Sequence, residues 1–225
     1  MPRPSRHLDR ALLAAGRALY PATGCAGLTI RQVCEAAGVN TGMFNYHFGT
    51  RERFLRAVMQ QAYEEMFARF TLAAAPAPGP APQPEALLRA SLRVLGRFLR
   101  DNRPFIARLL ADALSGEAVA REFIRDNLPR HATVIAGLVA AGAARGTLRP
   151  LAPAQALGIV AGALAMPILA VGAIADSGEL PRAAARSLAA SVMTDEAIDE
   201  RIELVLLALA LPAKRVPRRA GKEAP

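Results

Sequence analysis

The chain has 225 residues, enough for one or two domains with an ample core, and 52% are apolar while only 5% are aromatic and none is tryptophan. An interior built from Ala, Leu, Val and Ile, with no alternating β-branched runs, argues against strands and for an all-α fold. The net charge of +9 is concentrated: residues 1–56 hold eight Arg against three carboxylates, residues 214–225 hold five Lys or Arg against one Glu, and the intervening residues balance. Charge confined in this way favours a polyanionic partner over a merely solvated face.

Cys25 and Cys34 are the two cysteines, and no spacing suggests a metal site. A reduced cytosolic protein is the default, with a redox switch through these thiols as the alternative. The N-terminus has no apolar stretch of the signal-peptide kind, which makes a cytoplasmic location the expectation. His7, His47 and His131 are far apart, and no GxSxG, Gly-rich phosphate loop or CxxC occurs. We therefore expect neither an enzyme nor a cofactor.

In chain order, residues 1–6 read as a basic arm in which Arg3 and Arg6 are candidates for phosphate contacts. From His7 to Thr23 the positions Leu8, Leu12, Ala15, Leu19 and Tyr20 track one face of a first helix. Thr29 is a suitable N-cap for a short helix over Ile30 to Ala37, and Gly38 stops it by taking the left-handed conformation. Asn40 caps a second short helix, Thr41 to Phe48, with Phe44 and Phe48 turned inward. Thr50 then opens a long helix in which Phe54, Leu55, Val58, Met59, Ala62, Met66 and Phe70 keep helical spacing as far as Ala75.

Two short helices joined by a glycine turn, the second small and polar outside, suit a DNA major groove; an ordinary helical hairpin is the competing reading. On the first reading Thr29, Asn40, Tyr46, His47 and Thr50 position the sugar-phosphate backbone. Arg31, Thr41, Met43 and Asn45 are candidates for base edges, and Gly42 is counted with them among the DNA-binding candidates. Arg31 suits guanine and Asn45 suits adenine.

The run T-I-R-Q-V-C-E-A-A-G-V-N-T-G-M-F-N-Y-H-F-G-T-R-E-R-F, with A-L-L-A-A-G-R-A-L-Y-P-A-T-G upstream, resembles the N-terminal domain of the TetR family of bacterial transcriptional regulators. The resemblance covers about the first quarter of the chain. It departs at Asn45, where the family usually has tyrosine, at Met43, and at Arg51, which stands for a lysine and keeps the phosphate-binding charge. It implies a homodimer on double-stranded operator DNA, probed at two half-sites. It further implies a larger helical C-terminal domain that binds a small, mostly apolar ligand and dimerises, and most simply a repressor released by that ligand.

Beyond the long helix, residues 76–84 form a proline-rich connector that cannot continue a helix. Helices follow over Glu85 to Asp101 and Pro104 to Ser115, then Glu117 to Asn127 and Arg130 to Arg145, either as one helix kinked at Pro129 or as two. Core candidates include Leu88, Leu92, Leu95, Phe98, Leu99, Phe105, Leu109, Leu110, Phe123 and Ile135. Of these Phe98, Phe105 and Leu109, together with His131 and Met166, are the candidates to line a ligand cavity, and a structural histidine is the competing reading of His131. The uncharged stretch Pro150 to Ala175 is long enough to cross a bilayer. Its Ala and Gly content and its two prolines favour instead a buried subunit interface, with no membrane partner. A short helix around Arg182 to Val192 and an amphipathic helix Asp195 to Leu211 complete the core, and Ile159, Leu164, Ile202, Leu206 and Leu209 are the candidates for the dimer contact. The expected division is a DNA-binding domain over 1–56, a helical effector and dimerisation domain over 57–211, and a basic disordered tail over 212–225.

Overall fold

The structure is a computed structural model that describes residues 6–76 and 82–211. The basic arm at 1–5, the side chain of Arg6, most of the proline-rich connector and the tail from 212 onward lie outside the described residues.

Among the described residues the chain forms ten helices. The first four are α1 (Arg6–Gly27), α2 (Ile30–Ala37), α3 (Thr41–Phe48) and α4 (Arg51–Ala74). Then come α5 (Pro84–Asp101), α6 (Arg103–Leu114), α7 (Ala118–Ala144), α8 (Pro153–Asp176), α9 (Arg182–Met193) and α10 (Asp195–Leu209). One isolated β-bridge, Leu148 to Ala210, ties the loop after α7 to the end of α10. Arg149 N–H donates to the Leu209 carbonyl at 2.8 Å and Leu211 N–H to that of Thr147 at 3.1 Å, so the last helix is pinned where it stops.

α1 outlasts the helix expected to end at Thr23. It bends at Gly24, whose φ of 64° belongs to the left-handed region, and the Arg108 guanidinium lies so close that a Cβ there would sit 2.1 Å from it. α7 runs unbroken through Pro129, which settles the choice left open by the sequence. The orphaned carbonyl one turn earlier belongs to exposed Arg125, where water can satisfy it. α8 contains two stretches of π-helix, Ala161–Ala165 and Pro167–Val171. Pro167 removes an N–H and displaces the preceding turn, which the wider i to i+5 winding accommodates.

The buried side chains form one cluster from Leu12 to Leu209, with no break at residue 56, because α4 contributes to it along its whole length. Leu164, Ile202 and Leu209 are fully buried and Leu206 nearly so, and Ile159 is half-buried against the same cluster. For Leu164, Ile202, Leu206 and Leu209 the assignment to a dimer contact is therefore corrected, whereas Ile159 keeps part of its surface open. The stripe that makes α10 amphipathic is consumed within the protomer by packing on α5 and α8. What these helices leave outside is different: Leu204, Leu207 and Leu211 on α10, and Met166 and Ile174 on α8. Leu110, expected in the core, also faces outward on α6.

The five residues expected at a ligand cavity are not brought together. Phe105 packs on Tyr20 with ring centroids 4.8 Å apart, and Leu109 fills the core between α6 and its neighbours. His131 stands against Tyr63, whose hydroxyl is 3.3 Å from Nδ1, and burial holds the imidazole below its ordinary pKa. Met166 is exposed on α8, and Phe98 alone of the five lines an open groove. Helix amphipathicity marked them as apolar and inward without saying which neighbours they meet.

Candidate nucleic-acid interface

The hairpin is built from three successive caps. The Thr29 hydroxyl accepts from Gln32 N–H at 3.3 Å, and the Gln32 side chain accepts from Thr29 N–H at 3.0 Å, a reciprocal capping box that fixes the start of α2. Gly38 ends α2 at φ 65°, and the following Val39 N–H donates to the Cys34 carbonyl at 2.9 Å. Asn40 Oδ1 accepts from Met43 N–H at 2.9 Å to start α3, and Thr50 Oγ1 accepts from Arg53 N–H at 3.2 Å to start α4. Each cap satisfies donors that would otherwise be orphaned in a very short helix, so the turn angles are set locally.

Beneath the hairpin sits an aromatic knot. Phe44 is fully buried, and its ring lies 5.0 Å from Phe54 and 5.6 Å from Phe48. These rings anchor one face of α3 to the start of α4 and leave the opposite face in solvent. Thr41, Gly42, Asn45 and Tyr46 are exposed there, Tyr46 by 67%, while Met43 and His47 are half-buried. His47 Nε2 finds no hydrogen-bond partner among the described residues, and its ring edges onto Tyr46. A short helix with an amide, a hydroxyl and a phenol on its open face offers donors and acceptors of the kind that base edges and phosphates take up.

The cations divide between two tasks. Arg31 is exposed on α2 and donates from Nε to Glu35 at 2.7 Å, an i,i+4 pair in open solvent that contributes little to stability and is readily exchanged for a base or phosphate. Arg51 behaves differently. Its Nη1 donates to the carbonyls of Cys25, Ala26 and Leu28, so the guanidinium closes the C-terminal end of α1 onto the start of α4. The phosphate role expected for Arg51 is thus corrected to one of positioning. Arg53, two residues later and exposed, takes part in no ion pair among the described residues and stands in the first turn of α4 beside the hairpin. Sequence reasoning passed over it as a contact, although the Thr50 cap that sets its direction was legible.

The helix α1, which packs on the hairpin, is held to α6 by a buried carboxylate. Asp112 on α6, 2% exposed, accepts from the Tyr20 hydroxyl at 2.8 Å and from Cys25 N–H at 2.7 Å. Arg108 Nε stands 2.9 Å from the other oxygen, out of line for a hydrogen bond, so that pairing is one of charge. Burial by itself would raise the Asp112 pKa, yet the Cys25 and Tyr20 donors and the Arg108 charge bring it below the usual carboxylate value. Burial pushes the Cys25 thiol up to about 12, and burial on α2 also raises that of Cys34, so both environments work against the thiolate. Nothing in the sequence linked Asp112 to residues some ninety positions earlier.

Comparison with known proteins agrees with this geometry. Residues 12–58 match the profile described as bacterial regulatory proteins, tetR family. No curated protein matches the sequence. Among solved structures, a TetR transcriptional regulator from Chloroflexus aurantiacus J-10-FL is similar with a TM-score of 0.67 at 19% identity, over 92% of this chain and 98% of the other. The ketosteroid transcriptional regulator KstR2 of Mycobacterium tuberculosis is similar with a TM-score of 0.64 at 14% identity, over 94% of this chain and 98% of that one. The superantigen PfiT is similar with a TM-score of 0.66 at 18% identity, over 93% and 98%. At such identities the likeness establishes the all-helical fold alone, and the PfiT match shows that the fold does not carry one function. The match at residues 12–58 falls on the capped hairpin and its aromatic knot, so this N-terminal segment is a DNA-binding helix-turn-helix domain of the kind that the tetR family of bacterial regulatory proteins carries.

Proposed function

We propose that the protein is a cytoplasmic homodimeric regulator of transcription, without enzymatic activity, that binds a near-palindromic operator and is released from it by a small molecule. The observation that carries the DNA-binding part is the open face of α3, where Thr41, Asn45 and Tyr46 stand outward from a rigid aromatic base. α3 would enter the major groove, with Asn45 and Arg31 reading bases and Thr29, Asn40, Thr50 and Arg53 meeting the backbone.

Two hairpins would meet half-sites about 34–36 Å apart or at a multiple of that distance. Support for the dimer comes from the opposite end. The α8 helix is apolar throughout, yet 28% of its most apolar window is buried in the single chain. Gly158 and Gly162 present open backbone one turn apart, flanked by Met166 and Ile174, and Leu204, Leu207 and Leu211 of α10 stand exposed. Two helices with small and aliphatic outer faces suit a four-helix contact between copies. Repression follows from the same arrangement: a ligand that changes the separation of the two hairpins lowers affinity, since both half-sites must be met together.

Selection of bound sequences from a random duplex pool at moderate salt tests the reading. A two-fold symmetric enriched motif is the expected result. An unenriched pool would reduce the hairpin to a nonspecific DNA contact, and recovery of the protein in the membrane fraction would assign the apolar face to lipid.

A further inference from the structure

A groove of about 510 Å³ opens on the flank of the molecule between α1, α4 and α5. Its volume falls in the range of small-molecule sites, roughly 300–1,000 Å³. Met66, Val94 and Phe98 supply an apolar floor, and Arg17, Arg69, Arg93 and Arg97 line the walls with Glu65 and Asp101. The local charges nearly cancel. Arg17 pairs with Glu65 at 2.8 Å, Arg93 with Asp199 at 2.8 Å, Arg97 with Asp195 at 3.0 Å, and Arg100 with Asp101 at 2.8 Å. Arg69 enters no ion pair or side-chain hydrogen bond among the described residues, and it stands exposed beside the floor. An apolar surface carrying one uncompensated guanidinium is complementary to one acidic group on one apolar body.

We propose that this groove binds a small amphiphilic monoanion, a carboxylate with an aliphatic or aromatic body, with the acid on Arg69 and the body on Met66, Val94 and Phe98. The Arg17–Glu65 pair at its edge is half-exposed, and such pairs contribute little to stability, so a carboxylate can draw Arg17 from Glu65. Arg17 lies on α1 and also donates to Asn102 Oδ1 at 2.7 Å, where α5 gives way to α6. Occupancy therefore acts directly on the helix that carries the hairpin. The binding stands on the groove itself, whereas its effect on operator affinity rests on the regulatory reading above.

The test is calorimetric titration of the full chain with octanoate, 1-octanol and acetate, repeated on Arg69→Ala and Arg69→Lys. Octanoate is expected to bind about tenfold or more tightly than either fragment, a difference of about 1.4 kcal/mol per decade. Arg69→Ala is expected to remove that advantage and Arg69→Lys to keep most of it, with melting temperatures unchanged because the side chain is exposed. Absence of octanoate binding, equal affinity for octanol, or undiminished binding by Arg69→Ala would each overturn the proposal. Operator binding measured separately distinguishes the two readings: octanoate binding without specific DNA binding sinks the regulatory function and leaves the site standing, while the reverse sinks the site alone.

Discussion

The two ends of the molecule expose opposite chemistry for opposite reasons. At the hairpin, α2 and α3 have eight residues each, too few to hold themselves, so caps and an aromatic knot fix them and their polar faces remain outside. At the far end α8 is long and apolar and α10 is amphipathic, and their inner stripes already fill the protomer core. What remains outside is aliphatic: Leu207 is 71% exposed and Leu204 57%. A polar face on a rigid base suits a hydrated polyanion, whereas an apolar face loses most by staying in water. Between them stands the Asp112 joint, which belongs to neither surface and makes the two ends one body.

The largest effect that would break this contrast is a charge in the apolar face. Leu207→Glu leaves the protomer fold intact, because the side chain touches solvent, but costs several kcal/mol at an interface between copies, on the order of 3–5 for an unpaired buried charge. Sedimentation should show monomers; a variant that stays dimeric would remove α10 from the contact. Next in size is the joint. Asp112→Ala strands the Tyr20 hydroxyl and the Cys25 N–H, and denaturant unfolding should show a loss of about 3 kcal/mol. An undiminished midpoint would mean that α1 is held by packing alone.

At the hairpin the effects are smaller and differ in kind. Asn45→Ala should cost about 1–3 kcal/mol at one base pair and spare random DNA. Equal losses on both would assign Asn45 to the backbone. Arg53→Ala should weaken every sequence alike and flatten the salt dependence by about one unit, while Arg51→Ala should act first on thermal stability. If Arg51→Ala instead flattened the salt slope and left stability alone, the roles of these two arginines would be exchanged.

The smallest effect is one of pH. Burial lowers the His131 pKa, so between that value and the ordinary histidine value of about 6.5 the unfolded chain binds more protons than the folded one. The stability is therefore complete above about pH 6.5 and declines as pH falls through the folded value. His131→Gln should remove that slope in unfolding measurements, and an unchanged slope would place its origin elsewhere.

How much of this was readable in advance depends on the range of the interactions. The bounds of α2 and α3 follow from Thr29, Gly38, Asn40 and Thr50, because a cap acts within four residues of itself. α10 was likewise legible from its acidic start and apolar spacing, and yet the same spacing misled about its partner. Periodicity says that Ile202, Leu206 and Leu209 are buried without saying whether the same chain or a second copy covers them. For Arg51 the sequence supplied charge and cap, but the carbonyls it meets belong to the end of α1, some twenty-five residues away.

The sequence by itself determined the all-α class, the helix-turn-helix and the concentration of positive charge on it, since composition, caps and periodicity are local properties. Only the tertiary structure decided which aliphatic residues remain uncovered, which arginine is spare, and that a single carboxylate on α6 holds α1. Those outcomes depend on which helix lies beside which, and side chains from distant segments satisfy or strand one another only once the chain has folded.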